Sequence, residues 1–578
     1  MTMEVIVNGG LTVASASVSE AEAVTEFTLS PDYSYYYIKI TQADGDIAVT
    51  APIWLSNVEA VGISSISTDA SLAVAGEALD INTVLYNNEA TDFEVSSIVY
   101  TANGEVIHTT DVSGDFAKIA SQGELTDSFS FLCDSVGKQT IEVTLIGYLG
   151  GASKKYTASM DITYISPDMV THVIVDGTHN NDYVTGYYGG NVGNFADIAA
   201  AEYVKVDVVT TEITEEMLDN CAVLVVSAPS KKSGTYYNAS YSATHFEDSF
   251  IELIKNYVAQ GGNLITCGIA DYSDSKETQS STEINKLLEA IGATTRLNSD
   301  EMCDDDSNGG QNYRLYFSQF NRDSYLVKDV TSTQTYSAYS GASVILNEEA
   351  VAAGTAEGVV YGHSTTYSLD TKQYDDNYVA VDKGNVVAMA RENLNGGGQL
   401  IVTGTVFLSD FEVKTDLDYG GQEYYANRNI LLNFLEETQK EIPVSTIAEM
   451  RQGNAGDIFT IEGYVTAGTA VEGNIFFDTI YVQDDTAGTT VFPIADSGIE
   501  VGTKLRITGY VDGYQGDKEI QIYSYKVLDD EPYVYAPKEV TTKEAADYDA
   551  FGGSLLKVEG TVTNVVTNSS GVDYFYVM

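Results

Sequence analysis

The sequence predicts a multidomain protein of mixed class, in which all-β segments flank a long stretch where strands alternate with helices. Three observations carry this. At 578 residues the chain exceeds what one hydrophobic core usually supports, so three to five domains of about 100 to 200 residues each are expected. Residues 58–168, and again those after 441, show short runs of alternating polar and apolar residues between Asn and Gly turns, the period of half-buried strands. Within 169–440 that period gives way to buried strand runs separated by amphipathic helices, which predicts a doubly wound parallel sheet with helices on both faces.

With 44% hydrophobic and 20% charged residues and a mean hydropathy of -0.08, the composition is that of folded proteins and not of disordered ones. The charge is lopsided. A formal net charge of -55, from 84 acidic against 29 basic side chains, repels phosphate backbones and anionic membranes and favours divalent cations as partners. Four cysteines, Cys133, Cys221, Cys267 and Cys303, stand singly with no CxxC or CxxH spacing, so ordinary thiols are expected and no zinc site. No segment approaches the ~18 apolar residues of a membrane-spanning helix, and residues 1–30 lack the layout of a signal peptide. Membrane insertion is not expected, and an export signal would have to lie outside this sequence.

Residues 1–57 hold alternating strands such as Val5-Ile6-Val7 and Tyr35-Tyr36-Tyr37-Ile38-Lys39-Ile40, then Asp44-Gly45-Asp46 and Ala51-Pro52-Ile53-Trp54. These are too few for a domain. The stretch YYYIKITQADGDIAVTAPIWL resembles the last strands of the carbaryl-hydrolase-like (CehA/McbA) branch of PHP metallohydrolases. The resemblance covers about the first tenth of the chain and implies that an incomplete hydrolase domain ends near residue 57, its catalytic part lying upstream. PHP enzymes hold divalent metals with His-x-His pairs and further His and Asp residues. This chain has only His108, His172, His179, His245 and His363, no two of them one residue apart, so the metal centre maps onto none of its residues.

From 58 to 168, strands such as Ala78–Tyr86 and Thr140–Leu145 at regular spacing suggest an immunoglobulin-like sandwich serving as a spacer. From 169 to 440 the expected elements are a strand at 172–175, a helix at 195–204, a strand at 205–209, a helix at 214–220 and a strand at 221–227. A helix at 246–259 stopped by Gly261-Gly262, a strand at 263–268, a helix at 283–291, a strand at 399–405 and a helix at 427–437 complete the set. Through VIVDGTHNNDY, CAVLVVSAP and YVAQGGNLITCGIADYSD this region resembles a degenerate, extracellular class I glutamine amidotransferase-like fold. Residues 441–531 resemble a bacterial extracellular OB-fold barrel, and 532–578 a second OB-fold-like copy cut short, since Leu556–Val562 repeats the Ile461–Val465 strand.

In a working amidotransferase the nucleophilic Cys sits on a sharp turn between glycines, with a His to take its proton. Cys267 is the one weak candidate here. Thr266-Cys267-Gly268-Ile269-Ala270 lacks the G-x-C-x-G spacing, no His-x-Glu follows the Val402–Asp410 strand, and His363 is the only His downstream. Gly189-Gly190-x-x-Gly193 ahead of a helix could offer N–H groups to an anion but matches no phosphate-binding pattern. The barrel carries Tyr464, Phe476, Phe477, Tyr481, Tyr510, Tyr514 and Tyr523, which could stack nucleic-acid bases. Yet residues 444–530 hold only Arg451, Lys504, Arg506, Lys518 and Lys526 against 14 acidic side chains, so charge disfavours nucleic acid as a partner. The sharpest local pattern is Asp304-Asp305-Asp306-Ser307-Asn308-Gly309, the D-x-D-x-N-G half of a calcium loop, making Asp304, Asp306 and Asn308 candidate ligands and calcium a candidate cofactor. Leu315 stands where the closing bidentate Glu would be.

Together these readings predict an accessory and binding region of a large secreted bacterial hydrolase of PHP type, extracellular or at the cell surface. The resemblance implies metal-assisted hydrolysis of a phosphoester or related ester by residues absent from this sequence. The alternative is a cell-surface binding or adhesion protein without catalysis, whose OB modules take nucleic acid or polysaccharide.

Overall fold

Extended segments with every second side chain apolar dominate the structure, which is mostly β. The computed structural model describes residues 1–7, 12–19, 23–29, 35–42, 46–54, 61–271, 280–371, 378–415, 425–439, 443–468, 478–494, 499–514, 516–528 and 531–578 except 569–570. The expected Asp44-Gly45 turn and the barrel residues Phe476 and Phe477 lie outside them. The chain forms two compact units, one from residues 1–69, 78–131 and 139–162, the other from residues 70–77, 132–138 and 163–578.

The first unit begins with an antiparallel sheet in which Thr2–Val7 lies between Thr12–Ser17 and Tyr35–Thr41. Val5, Ile6 and Val7 are buried, whereas Ile47, Val49, Ile53 and Trp54 at its far side are exposed. Two further sheets share one core. Gly123–Leu132, Ala78–Asn87 and Val61–Thr68 pair in that order, and opposite them run Glu105–Thr109, Phe93–Ala102, Gly137–Leu149 and Ala152–Ile165. Leu85, Phe93, Ile98, Tyr100, Ile119, Val143 and Leu145 fill the space between. Asp127 is buried there because two hydroxyls satisfy it: Tyr100 donates at 2.8 Å, and Thr110 donates to the same oxygen.

The second unit is built on an eight-stranded sheet. In chain order its strands are β1 (Thr171–Asp176), β2 (Val204–Val209), β3 (Cys221–Ser227), β4 (Asn263–Cys267), β5 (Gln319–Phe320), β6 (Ala356–Tyr361), β7 (Val387–Asn393) and β8 (Gln399–Thr403). They lie side by side as β2-β1-β3-β4-β8-β7-β6-β5. The first five are mutually parallel, and β7, β6 and β5 are then added with antiparallel pairing at each step. A wholly parallel sheet was expected, and the difference has a steric cause. A parallel return needs a crossover of a dozen or more residues, but β7 reaches β8 through 394–398 alone, which permits only a hairpin.

The strands read as unbroken apolar runs because both faces are covered. Val173, Val175, Val223, Val225, Ile265 and Ile401 face one core with Phe195 and Ile198 of α1 (Gly193–Ala200). Ile174, Leu224, Val226, Leu264 and Leu400 face the other, with α3 (Asp248–Ala259) and α4 (Ser280–Ala290); α2 (Glu215–Asp219) adds Leu218. On α3 the buried Phe250, Ile251, Ile254, Tyr257 and Val258 follow the helical period. Its stop is chemical. Gly261 takes φ +98°, so Gly261 N–H reaches Val258 O and Gly262 N–H reaches Tyr257 O, both at 3.0 Å, closing a Schellman motif.

Beyond the sheet, Ile458–Ala467, Ile480–Gln483, Gly488–Phe492, Asp517–Val527 and Lys504–Tyr514 close into a five-stranded barrel in that order. A short helix, Ile447–Met450, plugs one end with Ile447 and Met450 and is fixed by the reciprocal Thr446–Glu449 capping box. The same box recurs at Thr541 and Glu544, ahead of the hairpin Val562–Asn568/Gly571–Val577.

Removing the Asp127 carboxylate strands two buried hydroxyls, so Asp127→Ala lowers stability by about 1–3 kcal/mol. Chemical denaturation of parent and variant measures it, and an unchanged midpoint would show that water reaches these groups.

Candidate functional site

Parallel sheets bind ligands past the C-terminal ends of their strands, where the strand order reverses. Here the chain passes from β1 outward to β2 on one side and then to β3 on the other, so the reversal falls between β1 and β3. The segment after β1 is tightly organised. Asp176 at its end is fully buried and accepts from Thr178 N (2.9 Å), Thr178 Oγ1 (2.6 Å) and Asn181 Nδ2 (2.9 Å). It also bonds His179 Nδ1 at 2.9 Å. Asn181 Nδ2 donates as well to Ser227 O, Asp182 N to Ala228 O and Ser227 Oγ to Asp182 O, tying this segment to the end of β3. Tyr183 and Tyr188 take φ +69° and +59°, a region bulky side chains rarely enter.

What this geometry builds is a cavity of about 300 Å³ lined by Asp182, Tyr187, Tyr188, Lys231, Lys232 and Tyr339 among others. One wall is aromatic. Tyr187 and Tyr188 pack at 4.3 Å between centroids, and Tyr236 of the hairpin Gly234–Tyr236/Ala239–Tyr241 lies 4.6 and 4.5 Å from them. On the other wall Tyr313 and Tyr339 meet at 5.6 Å. Lys232 Nζ stands 4.3 Å from the Tyr187 ring centroid, and buried Lys231 donates to Ala270 O at 2.9 Å with Asp271 at 3.7 Å.

Asp182 is the group out of balance. It is 2% exposed, and its Oδ2 has no hydrogen-bond partner among the described residues. Burial pushes its carboxyl up to about 7, against the pull of Lys231, the Tyr187 backbone N–H and Lys232. Behind it, His179 bridges two carboxylates, with Nδ1 2.9 Å from Asp176 and Nε2 2.9 Å from Glu247, and packs against Phe246 and Phe250. Burial lowers its pKa, but the two carboxylates outweigh that and hold it above the usual histidine value.

The residues singled out from sequence lie elsewhere. Cys267 is fully buried at the end of β4 in the apolar core, where burial drives its thiol far above the ordinary range and the Phe407 backbone is its hydrogen-bond partner. His363 Nε2 bonds Tyr316 O at 3.0 Å, and no bond joins it to Cys267 among the described residues. All four cysteines are free, buried thiols. The helix start after Gly189-Gly190 is already filled, because Asp410 accepts from Asn194 N at 2.9 Å and from the Gly193 backbone.

Asp304 and Asn308 do share one turn. Asp304 Oδ1 accepts from Asp306 N (3.0 Å) and Ser307 N (2.8 Å), and its Oδ2 from the Thr365 and Thr366 hydroxyls at 2.8 and 2.9 Å. Burial pushes its pKa up, yet these four donors bring it below the usual carboxylate value. Asn308 Nδ2 donates to Asp304 O, while Asp306 stays exposed. In the barrel, Lys504 and Arg506 both pair with Glu462, and Lys526 pairs with Glu436. Lys518 donates to Arg451 O and Gly453 O, and Arg451 to Gly488 O, Gly552 O and Tyr548 O. Every basic side chain of that module is thus engaged with the protein itself. Tyr464 packs on Tyr533, and Tyr510 on Tyr523, while Tyr514 is exposed and Tyr481 half-buried.

Asp182, the tyrosine wall and the two lysines were missed from sequence. A signal existed: polar residues just past two apolar strand runs, in Asn181-Asp182-Tyr183 and Ser230-Lys231-Lys232.

No family model matches the chain, and neither does any curated protein. Among solved structures the mmIFT52 N-terminal domain is similar at 17% identity, over 47% of this chain and 99% of that one, with a TM-score of 0.34. A CARDB domain from Pyrococcus furiosus matches at 11% identity over 18% of this chain and 94% of its own, with a TM-score of 0.15. The sporulation control protein Spo0M of Bacillus subtilis matches at 17% over 19% and 52%, with a TM-score of 0.16. Likenesses this slight carry no functional argument.

Between an ordinary carboxylate pKa of about 4 and its folded value of about 7, Asp182 holds a proton that the unfolded chain has lost, so its contribution to stability declines as pH rises through that window. The contribution of His179, present below its ordinary value, is likewise lost as pH climbs through its raised folded value. Unfolding temperature therefore falls as pH rises through about 7. Self-repulsion of the acidic surface acts in the same sense, so the diagnostic is Asp182→Asn, which flattens the profile; a variant with the parent's pH dependence would show that Asp182 does not titrate there.

Asp304→Ala, with calcium chelated, lowers stability by about 1–3 kcal/mol through four stranded donors. A chelated variant as stable as the parent, with a calcium response that only the parent shows, would make the loop a cation site instead.

Proposed function

We infer that this chain is a binding and spacing region, and that the crevice past the ends of β1, β3 and β4 takes a small organic ligand. The observation that carries the reading is Asp182, a buried carboxylate with an unpartnered oxygen in the wall of an aromatic cavity at the strand-order reversal. A buried acceptor left unmet costs stability, and binding sites are where such a cost is retained.

The β2-β1-β3-β4-β8 order with helices on both faces supports the doubly wound, class I glutamine amidotransferase-like reading of 169–440. Burial of Cys267 supports the degenerate form of it. The barrel, with its parallel pairing of Gly488–Phe492 and Asp517–Val527, supports an OB-type module, and the repeated capping box supports a second copy after 531. Two sheets around one core support an Ig-like spacer at 58–168. For residues 1–57, the exposed apolar Ile47, Val49, Ile53 and Trp54 support strands that further protein would cover, as a PHP-type hydrolase would. On this reading the parent is a secreted or surface-bound bacterial metallohydrolase, and the metal-assisted ester hydrolysis is performed by residues outside this sequence. The engaged barrel cations favour protein contact over nucleic acid for the OB modules.

A crystal soaked with small-molecule fragments should show them in the crevice of Asp182 and Tyr187, and an empty crevice under saturating soaks would overturn the binding reading. The purified chain should release no ammonia from glutamine above background, and its thiols should resist a thiol-reactive reagent until the chain unfolds. Glutaminase turnover lost in Cys267→Ala would sink the non-catalytic assignment.

A further inference from the structure

Five tyrosine rings, two lysines, two serines and one buried aspartate surround the crevice. At about 300 Å³ it stands at the small end of ligand cavities, so it suits a molecule of roughly one ring. The phenols of Tyr183 and Tyr188 are raised by burial and remain protonated. The aromatic wall therefore offers neutral faces with polar tips.

A ligand cation would find its place taken. Lys232 Nζ already stands over the Tyr187 ring at 4.3 Å, and Lys231 adds a second positive charge. An anion would meet Asp182, which is charged above about pH 7, while the Lys231 ammonium is already held by Ala270 O and Asp271. A purely apolar ligand would leave Asp182 Oδ2 as unmet as before. What satisfies every wall is an uncharged ring with hydroxyl donors along its edge and a C–H face for the tyrosines.

We propose that the crevice binds a neutral saccharide, one sugar ring lying against the Tyr187–Tyr188 wall and a hydroxyl donating to Asp182. The proposal rests on the crevice being a binding site and adds the class of ligand. Asp182 then sets specificity, since it rewards a donor and rejects a deoxy or acidic replacement at the same position.

Saturation-transfer NMR on the full chain tests it, with methyl glycosides of glucose, galactose, mannose and xylose and N-acetylglucosamine as probes, beside choline, glutamine and citrate. The ring C–H protons of at least one glycoside should receive saturation. Asp182→Ala should weaken that glycoside by about tenfold or more, and Tyr187→Ala should abolish its signal. Should Asp182→Ala fail to fold, the half-buried Tyr187 carries the test alone. Glycoside binding that survives both variants would overturn the proposal by placing the sugar elsewhere. Binding of choline, glutamine or citrate without any glycoside would overturn the ligand class and leave the crevice standing. Silence from every probe, with an empty crevice in the fragment soaks, would overturn both.

Discussion

The Asp176 carboxylate is the constraint on which the functional end of this protein depends. A buried charge is tolerable only when it is surrounded by donors, and Asp176 collects four contacts from the three residues Thr178, His179 and Asn181 just beyond it. Those contacts fold the chain back over the end of β1. Only then can Asn181 reach β3, Tyr183 and Tyr188 adopt their strained backbone, and Asp182 face the cavity. His179 extends the same network to Glu247 at the start of α3, so one strand end, one loop and one helix are held by a single chain of charge-assisted hydrogen bonds.

Elements with strong periodicity were legible in the sequence, and their limits follow from physics. The helix at 246–259 is found at Asp248–Ala259 with its Gly261-Gly262 stop, because an apolar stripe and a positive-φ glycine are local facts. The barrel strand at Ile461–Val465 was equally readable and lies within Ile458–Ala467, whereas Gly488–Phe492 was not read. The antiparallel half of the sheet was not, since pairing direction is set by the length of a connection such as 394–398 and by what lies beside it in space. The site was the least legible part. Asp182 carries no motif, and its significance comes from burial and a missing partner, neither of which is a property of sequence.

Motifs that were visible in the sequence turn out to be engaged internally. The acidic run at 304–309 directs its first carboxylate at the backbone of its own turn and at two threonines. The glycine-rich start of α1 receives Asp410. The barrel cations neutralise Glu462 and Glu436 or hold carbonyls. In a chain this acidic, scarce positive charges and exposed N–H groups are recruited first by the protein's own carboxylates, so a pattern that signals a ligand elsewhere is here satisfied from within.

The ends of the eight-stranded sheet have a consequence for how the protein behaves in crowded surroundings. Among the described residues, one edge is the two-residue strand Gln319–Phe320, too short to template a neighbour. The other edge, Val204–Val209, carries Lys205, which pairs with Asp207 of the same strand and with Glu77. A charge placed on an edge strand must be stripped of its partners before another strand can dock there. Strand addition is therefore disfavoured at both rims of this sheet, although its strands are long apolar runs.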